Sequence, residues 1–221
     1  MKRQLKTIVL ISAILLSTSA FAQEGEITEN EIQTVFKGGT RSIGGYGALT
    51  NKFTTIRGRT ANLVGGYGGL YFNHGLFLGV GAAALTNTIS VPLEFSKDPT
   101  RDMNYEYGQV GLVTEYVLGS NKAFHLAFNL FSGAGFTVQN DRYDWRDHND
   151  DNFDFDDHES RDTNWFFVAE PGVQLEINVF KWMRFSPGIS YRAAFGSDGL
   201  GMKDSDISNI SYNATLKFGR F

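Results

Sequence analysis

The chain has 221 residues, a formal net charge of −4, 14% aromatic residues, 25 Gly against 4 Pro, and no Cys. The missing Cys excludes disulfides, thiol chemistry and a lipoprotein anchor, and the acidic balance argues against nucleic acid as a partner. Beyond the first residues no stretch approaches the roughly 20 apolar residues of a spanning helix, so a membrane could be crossed only by strands closed into a barrel.

In chain order, Lys2, Arg3 and Lys6 precede an apolar run from Ile8 to Leu16 and the small-residue triplet Ala20-Phe21-Ala22. This pattern predicts a cleaved signal peptide over residues 1–22. Residues 23–37 form an N-terminal extension in which Thr28-Glu29-Asn30-Glu31 resembles a capping box ahead of Ile32, Val35 and Phe36. A short helix and an unstructured tail both fit it.

From residue 38 to 221 the pattern is all-β. Segments 40–50, 59–72, 74–87 and 103–118 read as strands, and the alternation then becomes sharper. Phe124, Leu126, Phe128, Leu130, Ala134 and Phe136 share one parity, with His125, Ala127, Asn129, Gly133 and Gly135 on the other. Trp165 to Val179 sets an unbroken apolar face against Glu170, Gly172, Gln174, Glu176 and Asn178. Met183 to Phe195 alternates with Arg184, Ser186, Gly188, Ser190 and Arg192, and Ile210 to Phe218 alternates with Ser211, Asn213, Thr215 and Lys217. Period two marks strands with one apolar face. Their count is eight, and the later ones exceed the five or six residues usual in water-exposed sheets.

Links at 72–75, 119–122 and 178–181 are short, whereas 51–58, 88–102, 139–164 and 197–206 read as longer polar loops, so short and long links alternate. Tyr116, Phe124, Phe218 and Phe221 fall near the short-link end, and Phe136, Trp165, Phe167 and Phe195 near the other. Two aromatic belts and unequal rims fit an eight-stranded antiparallel up-and-down transmembrane β-barrel.

If the apolar parity faces lipid, Glu115, His125, Asn129, Glu170, Gln174, Glu176, Arg184 and Arg192 face inward. Hairpin pairing about Phe180 sets Glu176 opposite Arg184 and Glu170 near Arg192. Eight strands enclose a space that side chains just fill, so this charge network is expected to plug the lumen; the alternative is a gated pore lined by the same groups. The repeat Ile43-Gly44-Gly45-Tyr46-Gly47-Ala48-Leu49 and Val64-Gly65-Gly66-Tyr67-Gly68-Gly69-Leu70 is assigned to barrel curvature and to room for Tyr46 or Tyr67 against a neighbour.

The third long loop, 141–162, holds ten acidic residues and only Arg142, Arg146 and Arg161 as basic ones. Asp147, Asn149 and Asp151 are spaced as in a calcium loop, with Asp154, Asp156 and Asp157 following. Asn152 stands where such loops need Gly and His158 where they need Glu, so a solvated hairpin is the better expectation. Of the four histidines, His74, His125, His148 and His158, none has Ser at a spacing that suggests an activated nucleophile, and no cofactor motif is present. A non-enzymatic protein is expected.

Together the alternating strands, unequal rims and aromatic C-terminus resemble the small OmpA/OmpX-type outer-membrane β-barrels. Ala169-Glu170-Pro171-Gly172-Val173-Gln174-Leu175-Glu176, followed by Gly188-Ile189-Ser190-Tyr191-Arg192, is similar to a stretch common in uncharacterised barrel proteins of the Bacteroidota. The resemblance implies an outer-membrane location, a periplasmic N-terminal extension and assembly by the barrel-insertion machinery. It also implies contact with outer-membrane lipid and lipopolysaccharide, and a structural or interaction role with an envelope partner, with narrow-channel or ligand-binding activity and lipid modification as alternatives. In such barrels the terminal Phe shares the lipid-facing parity; here Phe218 does and Phe221 does not, which predicts a bulge at Gly219 or a signal carried by Phe218.

Overall fold

Outward-facing and lumen-facing residues alternate through eight strands of a computed structural model that describes residues 42–141 and 163–221. The expected signal peptide, the extension 23–37 and the acidic positions Asp147, Asn149, Asp151, Asp154, Asp156 and Asp157 lie outside the described residues. The barrel strands are β1 (Ile43–Ile56), β2 (Arg59–Phe72), β3 (Leu76–Leu85), β4 (Met103–Leu118), β5 (Phe124–Asp141), β6 (Asn164–Phe180), β7 (Met183–Phe195) and β8 (Asn209–Arg220). Each pairs antiparallel with its sequence neighbours, and β1 closes the ring on β8 with Leu49 opposite Leu216. Closure leaves no free sheet edge along the wall.

The first link is not the long loop expected at 51–58. Strands β1 and β2 continue to Ile56 and from Arg59, joined by Arg57 and Gly58 alone. Both turn residues have positive φ, 53° and 70°, the geometry that matches the twist of a two-residue hairpin. Lys52, Thr54 and Ile56 keep the inward parity, so what reads as loop polarity is a strand extending to the rim. The other outer links remain long. Loop 86–102 adds Ile89–Ser90 as a short pair with β4 and a 3₁₀ turn at Leu93–Phe95, and loop 196–208 carries a one-turn helix, α1 (Asp204–Ile207).

The outer wall is apolar: Leu49, Val80, Leu112, Phe128, Leu130 and Leu175 are exposed, Leu49 to 65%. A continuous exposed apolar belt marks a surface solvated by something other than water. Aromatic rings cluster near its two ends, with Phe180, Trp182 and Phe218 stacked at the short-turn rim and Phe136 with Trp165, and Phe167 with Phe195, at the other. Phe221 is the exception. No bulge interrupts β8, where Phe218, Gly219 and Arg220 pair in register with Gly47, Tyr46 and Gly45. Phe221 therefore continues the inward parity of Lys217 and Gly219, and its ring sits 5.1 Å from that of Tyr46.

Inward glycines make room for rings on adjacent strands. A Cβ on Gly81 would lie 2.6 Å from Cβ of Tyr67, and one on Gly219 the same distance from Cβ of Tyr46. The aromatic half of the interior, with Tyr46, Tyr71 and Phe77 among its buried rings, depends on these missing side chains.

Candidate functional site: the filled lumen

Near the short-turn end, Lys217 of β8 is wholly buried and its ammonium bridges Glu115 of β4, at 2.6 Å, and Glu176 of β6. Arg184 donates from Nη1 to Glu176 Oε2 at 3.0 Å and from Nη2 to Ser120 Oγ at 2.8 Å. His125 places Nε2 2.8 Å from the same Glu176 oxygen and Nδ1 3.0 Å from the Lys122 carbonyl. Glu115 also accepts from two phenols, Tyr67 at 2.7 Å and Tyr46. The Gly-rich repeat thus has a chemical product: each copy supplies a tyrosine, and both converge on one carboxylate. Two carboxylates face Lys217, Arg184 and His125 with all four oxygens hydrogen-bonded, the condition under which burying charge is tolerable.

A second cluster lies farther along the axis. Lys52 of β1 donates to Glu170 of β6 at 2.7 Å, and Glu170 also accepts from Ser190 at 2.6 Å and Gln109 at 3.2 Å. Asn213 Nδ2 donates to Ser190 Oγ at 3.1 Å, extending the network to β8. On the wall formed by β5 to β8, Asn129, Gln174, Ser186, Ser211 and Asn213 hold buried oxygens without a protein partner, groups of the kind that ordered water satisfies.

Loops 86–102 and 196–208 cover the mouth at the long-loop end. The Arg57 guanidinium lies 4.4 Å from the Phe95 ring centre and donates to the Gly201 carbonyl, while the Arg57 amide donates to Asp206 O at 2.7 Å. Tyr105 donates to Leu200 O at 2.9 Å, and Gln139 Nε2 to Phe95 O at 2.8 Å. Ile89, Met202 and Ile207 are buried beneath them. At the opposite end the mouth opens into a vestibule of about 760 Å³ lined by His74, Asn121, Lys181, Arg184 and Phe221 among others. Its floor is the Arg184 guanidinium, with the Phe221 ring centre 3.8 Å away.

The six residues expected in the lumenal charge network, Glu115, His125, Glu170, Glu176, Arg184 and Arg192, all turn inward, but their partners differ in part from the hairpin expectation. Glu115, His125, Glu176 and Arg184 come together in one cluster. The hairpin turns at Lys181-Trp182, not at Phe180, and with the register irregularity between Asn178 and Phe180 this puts Asn178, not Glu176, opposite Arg184, whose long side chain still reaches Glu176. Glu170 pairs with Lys52 across the lumen, while Arg192 donates to Ile207 O at 2.9 Å and Thr55 O at 3.2 Å and lies 5.0 Å from the Tyr107 ring centre. Hairpin reasoning missed Lys52 and Lys217 because their partners sit on strands far away in sequence. The inward parity of Lys217 was the available signal.

Among solved structures, Neisserial surface protein A matches at TM-score 0.53 with 9% identity, over 80% of this chain and 97% of that one. The fold is that of the small outer-membrane barrels. The N-terminal β-barrel domain of Pseudomonas aeruginosa OprF is similar at TM-score 0.45 and 9% identity, over 79% of this chain and 96% of that one. The Yersinia pestis attachment invasion locus protein Ail is similar at TM-score 0.43 and 10% identity, over 80% and 97% respectively. No family model matches the sequence, and no curated protein matches it.

Proposed function

We propose that the protein is an outer-membrane β-barrel with a non-enzymatic structural or interaction role in the envelope. On this reading it is exported by a signal peptide cleaved after Ala22 and inserted by the barrel-assembly machinery. The short-turn rim faces the periplasm, the long loops face outward, and outer-membrane lipid and lipopolysaccharide surround the apolar wall. The observation that carries the role is the filled lumen: the clusters around Glu176 and Glu170 lie one above the other, under a cap clasped by Arg57. Such an interior holds a wall together and presents loops without offering a path. Likeness of fold to a surface protein supports the same reading.

Two measurements test it. The protein should occur in the outer-membrane fraction and migrate differently on SDS gels before and after heating. In planar bilayers the wild type should give no reproducible current steps; regular single-channel steps would refute a closed lumen. Mild-detergent co-purification from intact membranes then asks whether an envelope protein accompanies the barrel at fixed stoichiometry.

A further inference from the structure

Charge is distributed unevenly along the barrel. The short-turn rim carries exposed His74, Lys122, Lys181 and Arg220, and its described turn residues, 73–75, 119–123, 181–182 and 219–221, include no acidic side chain. Two of these cations are brought together. Phe218 pairs with Met183, and the Gly219 amide donates to Trp182 O at 2.9 Å, so the end of β8 that carries Arg220 lies beside the turn that carries Lys181. No ion pair to either cation occurs among the described residues.

Beside this pair the outer wall is aromatic. Phe180 and Trp182 stack with ring centres 5.5 Å apart, and Trp182 lies 6.3 Å from Phe218. Indole and phenyl rings at a barrel rim mark the depth of lipid headgroups. The juxtaposition is therefore two unpaired cations at headgroup level above an apolar aromatic surface suited to acyl chains.

Resting on the membrane reading above, we infer that Lys181 and Arg220 bind the phosphate of an anionic glycerophospholipid of the leaflet at the short-turn rim, with its acyl chains along Trp182 and Phe218. A phosphodiester between them meets both charges, and the guanidinium offers it directed hydrogen bonds. A zwitterionic lipid brings its own ammonium to the same place and gains less.

The test uses the full chain folded into vesicles of phosphatidylcholine alone or mixed with phosphatidylglycerol, extracted in mild non-ionic detergent, with retained lipid identified by native mass spectrometry. Heat-modifiable mobility reports insertion in each case. Wild type should retain phosphatidylglycerol selectively, with retention falling about five-fold for each cation removed in Lys181→Gln and Arg220→Gln. The charge-matched control, Arg59→Gln with Lys203→Gln at the opposite end, should keep wild-type selectivity. An inserted wild type without selectivity, or a double variant K181Q/R220Q as selective as wild type, overturns the inference and leaves the barrel reading standing. Failure to insert in either vesicle overturns both.

Discussion

Replacing Lys217 by Met removes the ammonium that Glu115 and Glu176 share while keeping most of the side chain's volume. The two carboxylates are not affected equally. Glu176 keeps Arg184 at 3.0 Å and His125 at 2.8 Å, but Glu115 is left with the phenols of Tyr46 and Tyr67 and no cation. Breaking one partner of a buried ion pair costs about 3–5 kcal/mol, because the remaining charge stays desolvated. Most of that loss should fall on Glu115. The double variant Lys217→Met with Glu115→Gln removes the stranded charge, and should recover about 2 kcal/mol of it through the coupling expected between contacting groups. Equilibrium unfolding in urea, in lipid vesicles and followed by tryptophan fluorescence, measures both. A Lys217→Met barrel within about 1 kcal/mol of wild type, or strictly additive single and double variants, would refute the account of the lumen.

Arg57→Ala should leave the barrel intact but release its cap. A charge-assisted hydrogen bond and a cation–π contact together contribute about 2–4 kcal/mol locally, so loops 86–102 and 196–208 should become sites of limited proteolysis while the heat-modifiable band persists. Two glycine substitutions should have opposite effects on the unfolding midpoint. Gly81→Ala drives a methyl to 2.6 Å from Tyr67 Cβ and should cost about 1–3 kcal/mol. On the outer wall, Gly68→Ala meets nothing closer than Tyr46 O at 3.6 Å and should be neutral or stabilising by about 0.4–1 kcal/mol. In loop 86–102 the hydroxyl and amide of Thr100 hold the exposed Asp98 carboxyl below its ordinary range. Its contribution to loop order is therefore present above the unfolded pKa and lost as pH falls through the lower folded value. Thr100→Ala should move the Asp98 titration upward by NMR, and an unchanged titration would remove the hydroxyl as the main cause.

Strand positions and faces were readable from the sequence because an apolar outer wall and a packed interior enforce period two; Glu170 and Glu176 against Pro171 and Leu175 is enough to orient β6. Partners across the lumen were not readable. Lys52 meets Glu170 over a separation of 118 residues, and Lys217 meets Glu115 over 102, contacts that depend on how the strands stagger when the ring closes. Hairpin logic sees only adjacent strands, so it assigned Arg192 to Glu170. The end of β1 was misread for a different reason: Lys52, Thr54 and Thr55 have loop-like composition, and only the turn at Arg57-Gly58 shows that the strand continues. The inward seat of Phe221 was legible in principle, since it shares the parity of Lys217.

Lys217 also lies on the seam where the ring shuts, the β1–β8 pairing. Its two carboxylates come from β4 and β6, and they differ: Glu176 already meets Arg184 within its own hairpin, whereas Glu115 has no cation until the last strand arrives. An unsealed barrel leaves the Lys217 ammonium and the Glu115 carboxylate apart, and sealing brings them together. The seam is thus tied to the interior: the register that pairs β8 with β1 is the one that sets Lys217 against Glu115.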